Sequence, residues 1–321
     1  MKQGEAAEAI RESCAALAEA ERPDSIQNAA NGLHNILSGL FEGGLGHSPL
    51  GENGLLNSTS ALSCVFREPL RTQLYQGAVL DAVRTCLERK DVCRVLYIGT
   101  GPAASLLLHT MSQVNPEEVS VTFLEGHKNS FRLLNYLIYA GGFHDFVDET
   151  FLVDARNSGI TDRIGSNFDV VVTETMAQAL LYEPQAAITL NLGEEVLSEG
   201  GVWLPQRVRI SLETTLDGNK LEMPFFDLEP SGVSGRSADF TFDPQEQRVT
   251  GVFDFEGSWA ERRPFKINTA IQIDEGRTLP SESSAITRSW LLEYGQSPIL
   301  RKVRVSYQLG GFSHEATVHR V

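Results

Sequence analysis

Apolar and polar positions alternate along this chain in three distinct textures. Over residues 6–20, AAEAIRESCAALAEA, alanines and larger apolar side chains recur at helical spacing, which predicts a helix that Pro23 and Asp24 stop. A second, shorter apolar stretch from Leu33 to Phe41 runs into glycines at 43, 44 and 46. Turn formers then dominate from Gly46 to Ser63, GHSPLGENGLLNSTSALS. That segment is expected to be a loop and a lid over a site, with disorder in the absence of ligand equally open to it.

The second texture begins near residue 70. Helical patterns at 73–87, 105–111 and 130–140 alternate with short apolar strands at 94–98, 119–125, 146–153 and 168–174. Strands that are apolar throughout and linked by helices predict a mostly parallel sheet covered on both faces. A helical stretch at 185–197 and the turn Glu199-Gly200-Gly201 lead into a further extended segment. After Pro205 the texture changes again: VRISLE, ADFTFD, RVTGVFDFEG, PFKINTAIQI, SWLLEY and KVRVSYQL are short and partly alternating, with Asp, Gly, Pro or Ser turns between them. An antiparallel β domain, its phenylalanines filling the core, fits these better than more α/β units. The expected division is an N-terminal helical and loop segment at 1–66, a ligand-binding α/β domain at 67–205 and a β domain at 206–321.

Length and composition narrow the function. A chain of 321 residues with 41% hydrophobic side chains can bury a core larger than a small binding module needs, usually in two units. Cys14, Cys64, Cys86 and Cys93 form neither a CxxC nor a Cys/His ladder, so a disulfide framework or structural zinc site has no support from spacing. The expected compartment is the reducing cytoplasm. No signal peptide is seen, and no run approaches the ~20 apolar residues of a membrane span. Forty-two acidic against 27 basic side chains give a formal charge of -15. A field of that sign opposes nucleic acid and anionic membranes and attracts cationic small molecules or peptides.

The chemistry centres on two places. Val95-Leu96-Tyr97-Ile98-Gly99-Thr100-Gly101-Pro102-Ala103-Ala104 leaves a strand through two glycines, which permit a sharp turn and close approach of a ligand. With Ala104 the run also satisfies the looser GxGxxA dinucleotide pattern. Glu125, ending the next strand, can accept hydrogen bonds from ribose hydroxyls in an NAD or an S-adenosylmethionine enzyme. Asp154, after the third strand, sits where it can face an adenine amine or simply close a turn, while Lys128 and Arg132 read as surface charges. In the stretch FDVVVTETMAQALLYEPQ, Glu174 ends a strand and Glu183 follows nine residues later. Two carboxylates on one loop offer parallel acceptors to a guanidinium fork or hold an amine.

This segment resembles the double-glutamate loop of protein arginine methyltransferases. The shared features are the E-x8-E spacing, Met176 two residues after the first Glu, the Leu-x-Tyr-Glu ending and a downstream Gly-Gly then Pro. Upstream, FREPLRTQLYQGAV resembles that family's D-x-x-R-T-x-x-Y helix, with Arg71, Thr72 and Tyr75 retained. The resemblance covers about 67–210 and implies a Rossmann-like methyltransferase domain followed by an antiparallel β-barrel-like domain. It also implies S-adenosyl-L-methionine as cofactor: Arg71 on its carboxylate, Gly99 and Gly101 on the cofactor loop, Glu125 on the ribose and Asp154 near the adenine. Glu174 and Glu183 would hold the acceptor. Three features depart from the family. Tyr97 stands where an acid faces the cofactor amine, Ala103 replaces the third glycine, and Thr287-Arg288-Ser289-Trp290 lacks the histidine of a Thr-His-Trp element. The tyrosine-rich N-terminal helix and a long dimerisation insertion are not evident either.

The resulting expectation is N-methylation of a guanidine or amine, in a small arginine-like metabolite more than in a protein arginine, with no metal and with a homodimer left open. Two other classes compete. A noncatalytic adenosyl-ligand scaffold would explain Tyr97 and the missing histidine. An NAD-dependent oxidoreductase would use the glycines and Glu125 but leave the paired glutamates and Arg71 as coincidence.

Overall fold

The computed structural model of the protein describes residues 3–42, 68–180, 184–216, 219–254, 265–292, 302–309 and 316–320. The chain forms two compact units, the first from residues up to 174 with 195–204, the second from 175–194 with the chain from 205 onward. The loop expected at 46–63 lies outside the described residues, as does Glu183.

The first unit opens with α1 (Gln3–Ala18) and α2 (Pro23–Glu42), which pack on each other. Ile10, Cys14 and Leu17 of α1 and Ala30, Leu33 and Leu37 of α2 are fully buried, at the three-to-four-residue spacing that one helix face requires. Pro23 does not merely stop α1; it starts α2. A proline in the first turn lacks an N–H that would have had no partner there, and its fixed φ suits a helix start. The same device opens α3 (Pro69–Leu87) at Pro69.

β1 (Cys93–Ile98), β2 (Val119–Glu125), β3 (Val147–Leu152), β4 (Phe168–Thr173) and β5 (Leu197–Leu204) form one parallel sheet in the order β3-β2-β1-β4-β5. Its central strands are buried on both faces, which is why they read as continuous apolar runs. α4 (Leu108–Gln113), α5 (Lys128–Ala140) and the one-turn α6 (Thr161–Ile164) lie in the connections. α4 starts three residues later than the 105–111 pattern, because turns occupy the chain up to Leu107 after the glycines. The strand order reverses between β1 and β4, and open α/β sheets take their ligands beyond the strand ends at such a switch point.

The second unit begins with α7 (Gln185–Leu192), which packs on β7. Its β6 (Arg207–Leu216), β7 (Asn219–Glu229), β8 (Gly232–Gly235), β11 (Phe265–Gln272), β12 (Thr278–Leu279) and β13 (Trp290–Leu292) make one antiparallel sheet, with β13 also on β11. The other sheet runs β15-β14-β10-β9, from β9 (Ala238–Asp243), β10 (Arg248–Asp254), β14 (Lys302–Gln308) and β15 (Ala316–Arg320). β7, β8, β12 and β15 are additional to the strands that alternation predicts. β7 contains Pro224, at an irregularity in its pairing with β6, a position that hides a strand from pattern reading.

An aromatic cluster joins the two sheets of this unit. Phe225 makes edge contacts with Phe226, Phe240 and Phe253, and Phe226 does so with Tyr307. Gly251 is required beneath it, since a Cβ there would lie 2.7 Å from the Phe225 ring. Asp227 is fully buried on β7 and accepts hydrogen bonds from Arg209 at 2.8 and 2.9 Å and from Arg236 at 2.8 and 3.0 Å. Burial would raise its carboxyl pKa, but the two guanidinium groups outweigh burial and hold it below the usual range. A depressed carboxylate pKa adds stability above its unfolded value, and that stability is lost as pH falls through the folded value. Asp227→Asn should therefore lower unfolding stability by about 2 kcal/mol at neutral pH, a figure discounted for the half-exposed arginines. Urea unfolding of both proteins checks this: the gap should narrow as pH falls below the ordinary aspartate range, and equal stability at neutral pH would refute the assignment.

Candidate cofactor and acceptor site

The glycine run leaves β1 as the sequence predicts. Gly99 and Gly101 have φ of 72° and 58°, and Ala104 follows at 43°. Left-handed backbone at two positions within three residues is what glycine provides without a Cβ penalty. The direction a Cβ would take at Gly101 is open space, so that face of the loop can be approached closely.

Glu125 ends β2 directly beside this turn. Its Oε2 accepts from the Gly101 N–H at 2.8 Å and the Thr100 hydroxyl at 3.3 Å, and its Oε1 accepts from the His127 N–H at 2.7 Å. The side chain thus holds the loop in shape as well as facing the ligand edge. Burial pushes its carboxyl above the usual carboxylate range, against those hydrogen bonds, which favour the ionised form. Asp154 lies past β3 on the same edge, but Arg156 engages both its oxygens, at 3.0, 3.1 and 2.6 Å. That pairing lowers the Asp154 carboxyl pKa.

The start of α3 brings a cation to the same edge. Glu68 occupies the N-cap position, yet its carboxylate turns to the Arg71 Nη1, 2.8 Å away, instead of capping the helix. Arg71 Nη2 meets the Glu174 Oε1 at 2.8 Å, just beyond β4. All three side chains are almost wholly buried, at 8% exposure for Arg71, 13% for Glu68 and 12% for Glu174. Burial raises the Glu174 carboxyl pKa; Arg71 opposes the rise and Glu68 adds to it. Two carboxylates on one guanidinium leave the cluster with one excess negative charge, which suits a cationic ligand. The N-terminus of α3 offsets part of that charge.

Beside this cluster sits a group that asks for a partner. The Tyr75 hydroxyl, within electrostatic reach of Glu174 and Arg71, is buried with no hydrogen-bond partner among the described residues. Buried polar atoms are satisfied in stable proteins, so an orphan beside a charged cluster fits a ligand that supplies the partner. Tyr97 is fully buried on β1 and its ring packs against Phe123. Burial and then the Glu174 charge push its phenol well above its ordinary pKa, so it is a neutral donor where the family resemblance would place an acid.

The loop after Glu174 is closed at its base. Thr175 donates to the Gln185 Oε1 through its N–H at 3.3 Å and its hydroxyl at 2.8 Å, and the Gln185 N–H returns a bond to the Thr175 carbonyl at 3.0 Å. Between them Ala179 and Leu180 both take left-handed φ, 57° and 54°, while buried. Consecutive non-glycine residues in that region store strain, which persists where surrounding contacts over-determine it. One such contact is the Gln178 side-chain amide on the Ser289 carbonyl, 2.7 Å, next to Trp290. Sequence reasoning passes over Glu68 beside Arg71 and, in the second unit, the loop-closing Gln178 and Gln185. Only Glu68 left a signal, an acid three residues before Arg71 at a helix start.

No described helix is long and apolar enough to cross a membrane. No protein-family description matches the sequence, and no curated protein matches it. Solved structures do resemble the fold. The Trypanosoma brucei PRMT1 enzyme-prozyme heterotetrameric complex with AdoHcy is 11% identical over 81% of this chain and 97% of that one, with a TM-score of 0.47. Arabidopsis thaliana protein arginine methyltransferase 10, in an open conformation, is 12% identical over 77% of this chain and 86% of that one, with a TM-score of 0.52. Such identities speak for architecture alone. With the five-stranded parallel sheet and the antiparallel sheets, the likeness to the plant enzyme shows a Rossmann-like fold followed by a β-barrel-like fold.

Proposed function

We propose that this protein is an S-adenosylmethionine-dependent N-methyltransferase acting on a guanidine or amine, with arginine or a small arginine-like metabolite as the acceptor class. The observation that carries this reading is the buried Glu68–Arg71–Glu174 network at the sheet edge that also presents the Gly99–Gly101 turn and Glu125. An NAD-dependent oxidoreductase has no use for that network.

S-adenosylmethionine, when bound, supplies an electrophilic methyl group on a sulfonium. Gly99 and Gly101 would hold it by close backbone approach, Glu125 by its ribose hydroxyls and Arg71 by its carboxylate. Asp154, already paired with Arg156, would border the adenine. Glu174 and Glu183 would accept N–H groups from the acceptor, fix its plane and turn a nitrogen lone pair outward. Orientation and charge would then supply most of the rate, with no covalent intermediate on the protein. A guanidine product can release its proton to solvent, so no strong base is required. Equilibrium titration with S-adenosylmethionine, its demethylated product, NAD and NADP tests the cofactor. Product mass after incubation with an amine and guanidine panel tests transfer. Adenosyl binding without a methylated product would leave a scaffold in place of an enzyme.

Glu125→Gln replaces an oxygen that accepts from Gly101 or His127 with an amide N–H, which turns one hydrogen bond into a donor–donor clash. S-adenosylmethionine affinity should fall about tenfold or more, as the loss of a charge-assisted contact implies. Acceptor affinity should change much less. Separate calorimetric titrations measure both, and an unchanged cofactor affinity would defeat the assignment.

Glu174→Gln and Glu183→Gln should each cut turnover by about tenfold or more, with most cofactor affinity retained. The raised pKa of Glu174 adds a pH signature. Its ionised form holds the acceptor, so kcat/KM should fall on the acid side at a higher pH than an ordinary glutamate would give, and Glu174→Gln should remove that limb. Single-turnover mass analysis, run with thermal unfolding on the same variants, decides the matter. Near-wild-type transfer in both variants, or losses matched by unfolding, would exclude the carboxylate clamp.

A further inference from the structure

A second polar cluster lies in the first unit, at the sheet edge opposite the glycine turn. Cys86 comes from the last turn of α3, Cys93 opens β1, and Asp169 is the second residue of β4. Their two sulfurs and a carboxylate oxygen all lie within 4.8 Å of one another, and the three residues are 3%, 0% and 5% exposed. Asp169 already carries a cation: the Lys90 Nζ sits 2.5 Å from its Oδ1. The Ser198 hydroxyl donates to the same oxygen at 2.7 Å, and the Arg94 N–H donates to Oδ2 at 2.9 Å. Nothing in the proposed methyl transfer uses this cluster.

We propose that Cys86, Cys93 and Asp169 form a binding site for a thiophilic divalent cation of the zinc type, with water in the fourth position. Three arguments support it. The donor set of two sulfurs and one carboxylate oxygen, on three separately anchored elements, is one that zinc accepts. Tetrahedral coordination at ~2.3 Å to sulfur and ~2.0 Å to oxygen places ligand atoms roughly 3.5 to 3.8 Å apart, within a small side-chain adjustment of the present spacing. The protons balance. As two sulfur–metal bonds form, two S–H bonds break and both protons go to solvent, so the two thiolates offset the two charges of the metal, and the single negative charge of Asp169 is left once Lys90 moves away. Lys90 is half-exposed, so its ammonium can move into water as the metal takes its place on Asp169 and opens the path of entry.

A disulfide accounts for less. It would need the sulfurs at ~2.0 Å, and it would leave the convergence of Asp169 unexplained. The metal would pin the end of α3 to β1 and β4, the helix whose other end carries Arg71. The cysteines are seven residues apart and the carboxylate lies far downstream, which is why no metal-ligand spacing appears in the sequence.

Titration of the full-length reduced protein with Co2+ as a spectroscopic probe, then displacement by Zn2+, tests the site. One equivalent should bind with a thiolate-to-metal absorption band, and Zn2+ should abolish the band. Cys86→Ser and Cys93→Ser should each lose it, Asp169→Asn should weaken binding about tenfold or more, and Cys14→Ser should leave it intact. If the serine variants do not fold, X-ray absorption of the zinc-loaded wild-type protein gives the answer, with two sulfur neighbours expected. No thiolate band, a band that survives the Cys86→Ser/Cys93→Ser double change, or a zinc shell without sulfur would overturn the proposal.

Discussion

A guanidinium withdrawn from water is the constraint around which the candidate site is organised. Arg71 is buried at the start of α3, and a charge in that position persists only where carboxylates meet it. Glu68 supplies one from the same helix and Glu174 supplies the other from the end of β4. The second contact ties the helix to the end of β4, beside the switch point between β1 and β4. Removing either acid would leave the guanidinium under-compensated, so the pair is costly to break even though its net contribution to stability is small. The same contact fixes the direction of Glu174 at the strand end, while burial raises its carboxyl pKa against the pull of Arg71.

Glu125 works by a related principle on the other side of the turn. Its carboxylate gathers the Gly101 and His127 N–H groups and the Thr100 hydroxyl, so the loop is organised before any ligand arrives. Preorganised donors and acceptors cost no rearrangement at the moment of binding. The two acids at the strand ends thus differ in role. Glu125 is held mainly by neutral donors and shapes the loop, whereas Glu174 is held by a cation and carries excess negative charge.

In the second unit the corresponding anchors are Asp227 and the phenylalanines. Asp227 gathers Arg209 and Arg236 on one sheet, while Phe225 and Phe226 reach Phe240, Phe253 and Tyr307 on the other. Residues 175–194 belong to this unit although they interrupt the first in sequence. The hydrogen bonds of Thr175 with Gln185 and of Gln178 with Ser289 give the physical reason, because they close the strained loop within the β unit.

Much of this was legible in the residues themselves. Continuous apolar runs at 93–98, 119–125 and 168–173 declare buried parallel strands, and the paired glycines declare a turn whose φ values only glycine adopts readily. Glu125 was readable as an acid at a strand end, whereas Arg71 stood out only through the resemblance of its helix to a known family. The start of α2 at Pro23 was hidden because proline both ends and begins helices, and a pattern of residues does not say which. Strands β7, β8, β12 and β15 were hidden because short or proline-bearing segments take their pairing from neighbours distant in sequence. The partners of Arg71, the engagement of Asp154 by Arg156 and the convergence of Cys86, Cys93 and Asp169 were decided by tertiary structure alone. Local sequence sets which conformations a segment favours, but which charges and thiols meet depends on the register and stacking of elements far apart in the chain.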